Sequence, residues 1–123
     1  MCLEFCAGGE LFTLLNKHKR QSEEKAAFYA AEIILALDFM HENGVIHRDL
    51  KTENVMIDKD GHVKLTDFGS SKANVQKNNF DGRTTTMLRG TMIYAAPEMF
   101  ESDEIGFSVD YYSLGLVIYG MLT

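Results

Sequence analysis

Apolar and polar positions divide the chain into elements with different periods. Gly8-Gly9 breaks a short apolar opening, and Glu10 to Asn16 then reads as a short helix. Lys17 to Gln21 is polar and basic, which predicts a loop. Ser22, followed by Glu23 and Glu24, predicts a helix start: a hydroxyl to cap free amides, then acids at the positive end of the helix dipole. From there Ala30, Ile33, Ile34, Leu37, Met40 and His41 keep a helical period to Asn43, and Gly44 supplies the stop. Val45 to Asn54 is a loop dense in charge. Val55-Met56-Ile57 reads as a strand, Asp58-Lys59-Asp60-Gly61 as a turn, and His62 to Thr66 alternates as a second strand. A hairpin therefore joins two charged loops. Residues 70–92 show no period and are rich in Ser, Thr, Asn and Lys; loops of this length are often functional. Ser108 to Leu122 predicts a final helix that is apolar nearly all round, which suits the middle of a larger core. The expectation is a chain cut out of something bigger.

Composition narrows the classes. The 123 residues make one domain's length, and 46% apolar with 24% charged residues is ordinary for a globular protein. A net charge of −6 argues against a nucleic-acid partner and is compatible with basic peptides. Cys2 and Cys6 are too few for a disulfide framework, and no signal peptide is visible near Glu4. Leu114 to Leu122 is too short for a membrane span, which needs about 20 residues. The expectation is a soluble intracellular chain with no membrane span, placed in the cytoplasm with the nucleus also open to it.

The densest chemistry lies in His47-Arg48-Asp49-Leu50-Lys51-Thr52-Glu53-Asn54. Asp67-Phe68-Gly69 follows the hairpin, and Gly90-Thr91 precedes Ala96-Pro97-Glu98. One such match would be weak. Three in order, with a hairpin between the first two and a long polar loop between the last two, are specific. Over its whole length the sequence resembles the eukaryotic protein kinases. Phosphoryl transfer needs positioned metal ions and an oriented nucleophile, and Mg²⁺ prefers oxygen ligands. Asn54 and Asp67 stand at opposite ends of a hairpin that returns the chain to its starting edge, so their oxygens can converge. Asp49 lies one loop earlier and can accept a hydrogen bond from a hydroxyl nucleophile.

The resemblance implies an α+β protein kinase-like fold: mostly the helical C-terminal lobe, a small β-hairpin at the cleft, and no N-terminal lobe. It implies a hinge at 1–9, helices within 10–43, a catalytic loop at 45–54, a hairpin at 55–66, an activation segment at 67–98 and a final helix at 108–122. By resemblance the cofactors are ATP and Mg²⁺. Asp49 is then the catalytic base, Lys51 neutralises the transferred phosphate, and Thr91 packs against both. Asn54 and Asp67 are the Mg²⁺ ligands. Leu3 is the gatekeeper, Glu4 and Cys6 present backbone groups to adenine, Glu10 faces the ribose, and Met56 forms the adenine floor. Glu53 joins Glu10 beside the nucleotide, and both are candidate readers of a basic substrate residue. His47 belongs to an internal spine under Phe68, Gly69 frees the backbone beside it, and Asp110 holds the catalytic loop's backbone. Glu98 is the anchor acid of the Ala-Pro-Glu motif, its arginine partner expected past Thr123. Lys51 resembles the serine/threonine class. Phe28 to Ile33 and Gly61 to Gly69 resemble the AGC group, near the ribosomal-S6-type kinases.

The sequence also departs from the pattern. Thr52 replaces the usual proline of the loop, and Tyr112 a tryptophan. Gly120 stands where many basophilic relatives have glutamate. Met87 falls where a phosphorylated threonine is usual, which moves the expectation to Thr84, Thr85 or Thr86, pairing with Arg48 and requiring an upstream activating kinase. No Gly-rich loop precedes Glu4, so these residues alone are expected to be inactive. Two other classes stay open: a truncated kinase or pseudokinase acting as a binding module, and a metal-dependent phosphoesterase, for which the ligands are too sparse. Asp58 to Gly61 faintly resembles a calcium loop, but a plain turn fits better. His18 and His62 read as surface residues.

Overall fold

A computed structural model describes residues 2–73, 92–101 and 105–123. Its elements are β1 (Gly9–Glu10), α1 (Leu11–His18), α2 (Glu23–Glu42), β2 (Val55–Ile57), β3 (Val63–Leu65), α3 (Glu98–Glu101) and α4 (Ser108–Leu122), with single 3-10 turns at Thr52–Asn54, Phe68–Ser70 and Met92–Tyr94. The three strands form one antiparallel sheet in the order β1-β2-β3. α2 packs against α4 on one side and β3 on the other. The main core gathers Leu11, Ile33, Leu37, Leu50, Val55 and Val117, all buried. A second cluster joins Ile46, Ala96, Met99, Ile105 and Val109.

α2 begins and ends on local chemistry. The Ser22 hydroxyl accepts from the Lys25 amide at 3.3 Å, and Glu23 and Glu24 fill the first turn. Gly44 takes φ 70° and donates to the His41 carbonyl, which turns the chain out of the helix. β1 is an element the sequence pattern did not predict. Gly8 donates to the Ile57 carbonyl at 2.9 Å, and a Cβ there would lie 2.7 Å from Ile57 atoms. Only glycine permits this approach. α1 also runs two residues further than expected, taking in Lys17 and His18, while β3 is shorter than the predicted His62 to Thr66. Within this chain α4 is buried along one face, through Val109, Leu114, Val117 and Met121, and exposes Tyr111, Tyr112 and Tyr119 on others.

The hairpin turn uses its own acid. Asp58 Oδ1 accepts from the Asp60 and His62 amides at 2.8 and 2.9 Å, and the His62 bond leads in holding its carboxyl below the usual range. Glu32 of α2 then clasps the hairpin. One oxygen meets His62 Nδ1 at 2.6 Å, and the other accepts from the Val63 amide at 2.7 Å. The hydrogen bond and charge of Glu32 raise the His62 pKa. A raised folded-state value means the clasp contributes fully below the ordinary histidine value of about 6.5 and is lost as pH rises through the folded value. Glu32→Gln is expected to bring the His62 midpoint down toward its ordinary value. An NMR titration of the His62 ring checks this, and an unmoved midpoint would contradict it. No helix among the described residues is long and apolar enough to cross a membrane.

Candidate active site

The loop after α2 is held from beneath by one buried acid. Asp110, in the first turn of α4, is fully buried. Its Oδ2 accepts from the His47 amide at 2.9 Å and from His41 Nε2 at 2.8 Å; its Oδ1 accepts from the Arg48 amide at 2.9 Å. Burying a carboxylate is costly unless donors surround it, and here three do. This grip fixes Arg48 at φ 67°, in the left-handed region that side chains rarely adopt. The Arg48 side chain turns back, and its Nε donates to the Ser70 carbonyl at 2.5 Å. Burial lowers the Arg48 pKa, with the Asp110 charge opposing.

A second clip joins the two charged loops. Ile46 and Lys72 exchange a pair of backbone hydrogen bonds at 2.9 Å. His47, fully buried, spans the gap between them. Its Nε2 meets the Thr66 carbonyl at 3.1 Å, and its Nδ1 accepts from the Asp49 amide at 3.3 Å. A carbonyl on one side and an amide on the other select the tautomer with the proton on Nε2. Its ring lies 5.4 Å from that of Phe68, centroid to centroid.

On this base the polar groups converge. Asp49 Oδ2 pairs with Lys51 Nζ at 3.2 Å. Asn54 Nδ2 donates to the Asp49 carbonyl at 2.8 Å and lies 3.3 Å from Asp49 Oδ2. The Asn54 carbonyl in turn accepts from the Thr66 amide at 3.0 Å, next to the register pair Val55 and Leu65. The hairpin thereby returns Asp67 to the Asn54 end. Asp67 sits at φ 60°, exposed, with Oδ1 accepting from the Gly69 amide at 3.3 Å.

These side chains fit a hard divalent cation. The Asn54 amide nitrogen is committed to Asp49, which turns its oxygen the other way; Asp67 keeps Oδ2 without a hydrogen-bond partner among the described residues. Oxygen donors, few in number and joined among the described residues by no sulfur or imidazole, suit Mg²⁺, which usually takes one or two carboxylates and fills the rest with water and phosphate.

The remaining predicted residues lie farther along the edge. Met56 on β2 stands between Glu10 on β1 and Lys64 on β3 in register. Glu4 carries an ion pair with Lys64 at 2.5 Å, which raises the Lys64 pKa. The Cys6 carbonyl accepts from the Gly9 amide at 3.1 Å, and Leu3 is 73% exposed. Glu53 is half-buried beside Thr52, and Glu98 opens α3. Thr84, Thr85, Thr86 and Thr91 lie outside the described residues. Sequence reasoning missed two contributors. His41 is the third donor to Asp110, and Tyr94 meets Thr52 across the loop, its hydroxyl 3.3 Å from Thr52 Oγ1. An apolar groove of about 470 Å³ also opens beside Phe68, lined by Ala36, Phe39, Met40, Val45 and Leu65.

A mostly helical body, with a small antiparallel sheet carrying this loop at its edge, is a part of the protein kinase fold, α+β in class. Comparison with known proteins agrees: the family model described as protein kinase domain matches residues 1–123, and the chain belongs to that family. It is 48% identical over 120 residues to atypical protein kinase C of Drosophila melanogaster, covering 98% of this chain and 19% of that protein. It is 45% identical over 120 residues to the human RAC-beta serine/threonine-protein kinase, covering 98% and 24%. Identity to the rabbit (Oryctolagus cuniculus) protein kinase C zeta type is 44% over 122 residues, covering 99% and 20%. These relatives are serine/threonine kinases of the AGC group. The chain spans between 19% and 24% of their lengths.

Proposed function

We propose that this chain forms the catalytic-loop side of an ATP- and Mg²⁺-dependent serine/threonine kinase, and that a longer protein carrying it transfers the γ-phosphoryl group of ATP to serine or threonine in protein substrates. The observation that carries this reading is Asn54 bonded at once to Asp49 and, through its carbonyl, to the strand that delivers Asp67. Asp49 Oδ2 is shared by Lys51 and Asn54, so Oδ1 is left to take the hydroxyl proton of the acceptor. Lys51 holds that carboxylate in place and offers positive charge to the phosphate being moved. The Asn54 amide oxygen and Asp67 Oδ2 would hold Mg²⁺. When bound, the ion supplies charge neutralisation at the phosphate oxygens.

Leu3, the backbone of Glu4 and Cys6, and Met56 would line the adenine side, with Glu10 toward the ribose and Glu53 beside the nucleotide, where it is also a candidate reader of a basic substrate residue. Thr91 would pack on Asp49 and Lys51. The Arg48 terminal amines, free of bonds among the described residues, would receive a phosphate on Thr84, Thr85 or Thr86 placed there by an upstream kinase. Phosphopeptide mapping of the active protein should find that phosphate; its absence from all three would contradict the assignment. Substrates are proteins, basic ones included, and the setting is the cytoplasm, with the nucleus also accessible. Residues 1–123 alone are expected to be inactive, since a grip on ATP from above needs a Gly-rich loop and a strand lysine.

Nucleotide binding tests the metal assignment. In the longer protein, Asp67→Asn is expected to weaken ATP binding about tenfold or more in Mg²⁺, and to change it little when the metal is chelated. Equal affinities in Mg²⁺ for variant and wild type would contradict the role given to Asp67.

A further inference from the structure

Thr52 stands in the catalytic loop with its side chain in the protein, not in solvent: the residue is 3% exposed. Its hydroxyl donates to Glu53 Oε2 at 3.1 Å. With that proton spent, the Tyr94 phenol at 3.3 Å is the donor in their contact. Tyr94 is itself tied down, because its carbonyl accepts from Ser113 Oγ of α4 at 2.7 Å. Ser113 of α4 thus anchors the Tyr94 backbone, and two hydroxyls in line, those of Tyr94 and Thr52, lead to one carboxylate oxygen. Among the described residues no cation pairs with Glu53.

We infer that Thr52 is a positioning residue that orients the Glu53 carboxylate to read a positively charged side chain of the peptide substrate. The inference rests on the kinase reading above. An oriented carboxylate with one oxygen already bonded presents the other to a cation in a defined direction, whereas an unheld glutamate must lose side-chain freedom on binding. Proline or valine at 52 could not donate to Glu53, and each would leave the Tyr94 hydroxyl facing carbon.

The test is steady-state kinetics of the longer protein on a peptide set. One arginine is moved through the positions before the acceptor serine, beside an all-alanine parent. Thr52→Val is expected to raise KM for the preferred arginine peptide about tenfold, the scale of one hydrogen bond to a charged group, while KM for the all-alanine peptide moves less than about twofold. Thr52→Ser keeps the hydroxyl and should restore the preference. In a Glu53→Gln background the Thr52→Val change should add less than about twofold, since Thr52 acts through that carboxylate. A rise shared equally by all peptides, an unchanged arginine preference in Thr52→Val, or a wild type that phosphorylates without preferring arginine would each overturn the inference. A wild type that transfers no phosphate from ATP would overturn instead the kinase reading beneath it.

Discussion

Asp49→Asn in the longer protein is expected to lower kcat by about a hundred- to ten-thousandfold, the range of a positioned general base. The substitution is nearly isosteric, and its effect separates by atom. Oδ2 pairs with Lys51 and lies beside the Asn54 amide, while Oδ1 is without a hydrogen-bond partner among the described residues. An amide oxygen at the Oδ2 place keeps Asn54 satisfied, so the loop should hold its shape. What is lost is the group that accepts the hydroxyl proton, together with the charge that Lys51 answers. ATP affinity should therefore change little beside the loss in kcat. A variant with more than a tenth of the wild-type kcat would contradict the role.

Asp110→Asn is expected to produce the largest loss of stability, about 3 kcal/mol, read as a lower midpoint in chemical denaturation at unchanged slope. Three donors converge on this carboxylate, two of them backbone amides of adjacent residues. An amide offers one oxygen, and its nitrogen must then point a hydrogen at the His47 or Arg48 amide. One buried N–H is left facing another donor, and the support for the left-handed Arg48 is halved. His41 loses its partner only if the oxygen turns toward Arg48, so His41→Ala alone should cost less than Asp110→Asn. An Asp110→Asn protein of wild-type stability would show that the loop does not depend on this acid.

Local patterns carried much of the fold. The α2 start was legible because Ser22, Glu23 and Glu24 act within one turn, and the stop because a glycine, Gly44, takes a positive φ without strain. The hairpin was legible as alternation around turn residues, and an antiparallel pair already implied that Asn54 and Asp67 lie at one edge; the Thr66 to Asn54 bond closes the pairing one residue before Asp67. What stayed hidden depends on partners distant in the chain. β1 is two residues long and exists because Gly8 can touch Ile57, so in sequence it reads only as a break. His41 keeps the helical period of α2 as an apolar residue would, and nothing near it shows that its ring meets an acid 69 residues later. Thr52 reads as a substitution for proline, and its contact to Tyr94 follows only once α4 and the loop are packed together.

The central claim is that Asp49, Asn54 and Asp67 together serve phosphoryl transfer. Its most direct measurement is transfer of labelled γ-phosphate from ATP by the longer protein, with Mg²⁺, to a mixed serine- and threonine-containing protein substrate, followed by phosphoamino-acid analysis. The account predicts label on serine or threonine, abolished by chelating the metal and nearly abolished in both Asp49→Asn and Asp67→Asn. Folded wild-type protein that leaves the substrate unlabelled, or variants that label it as fast as wild type, would contradict the account.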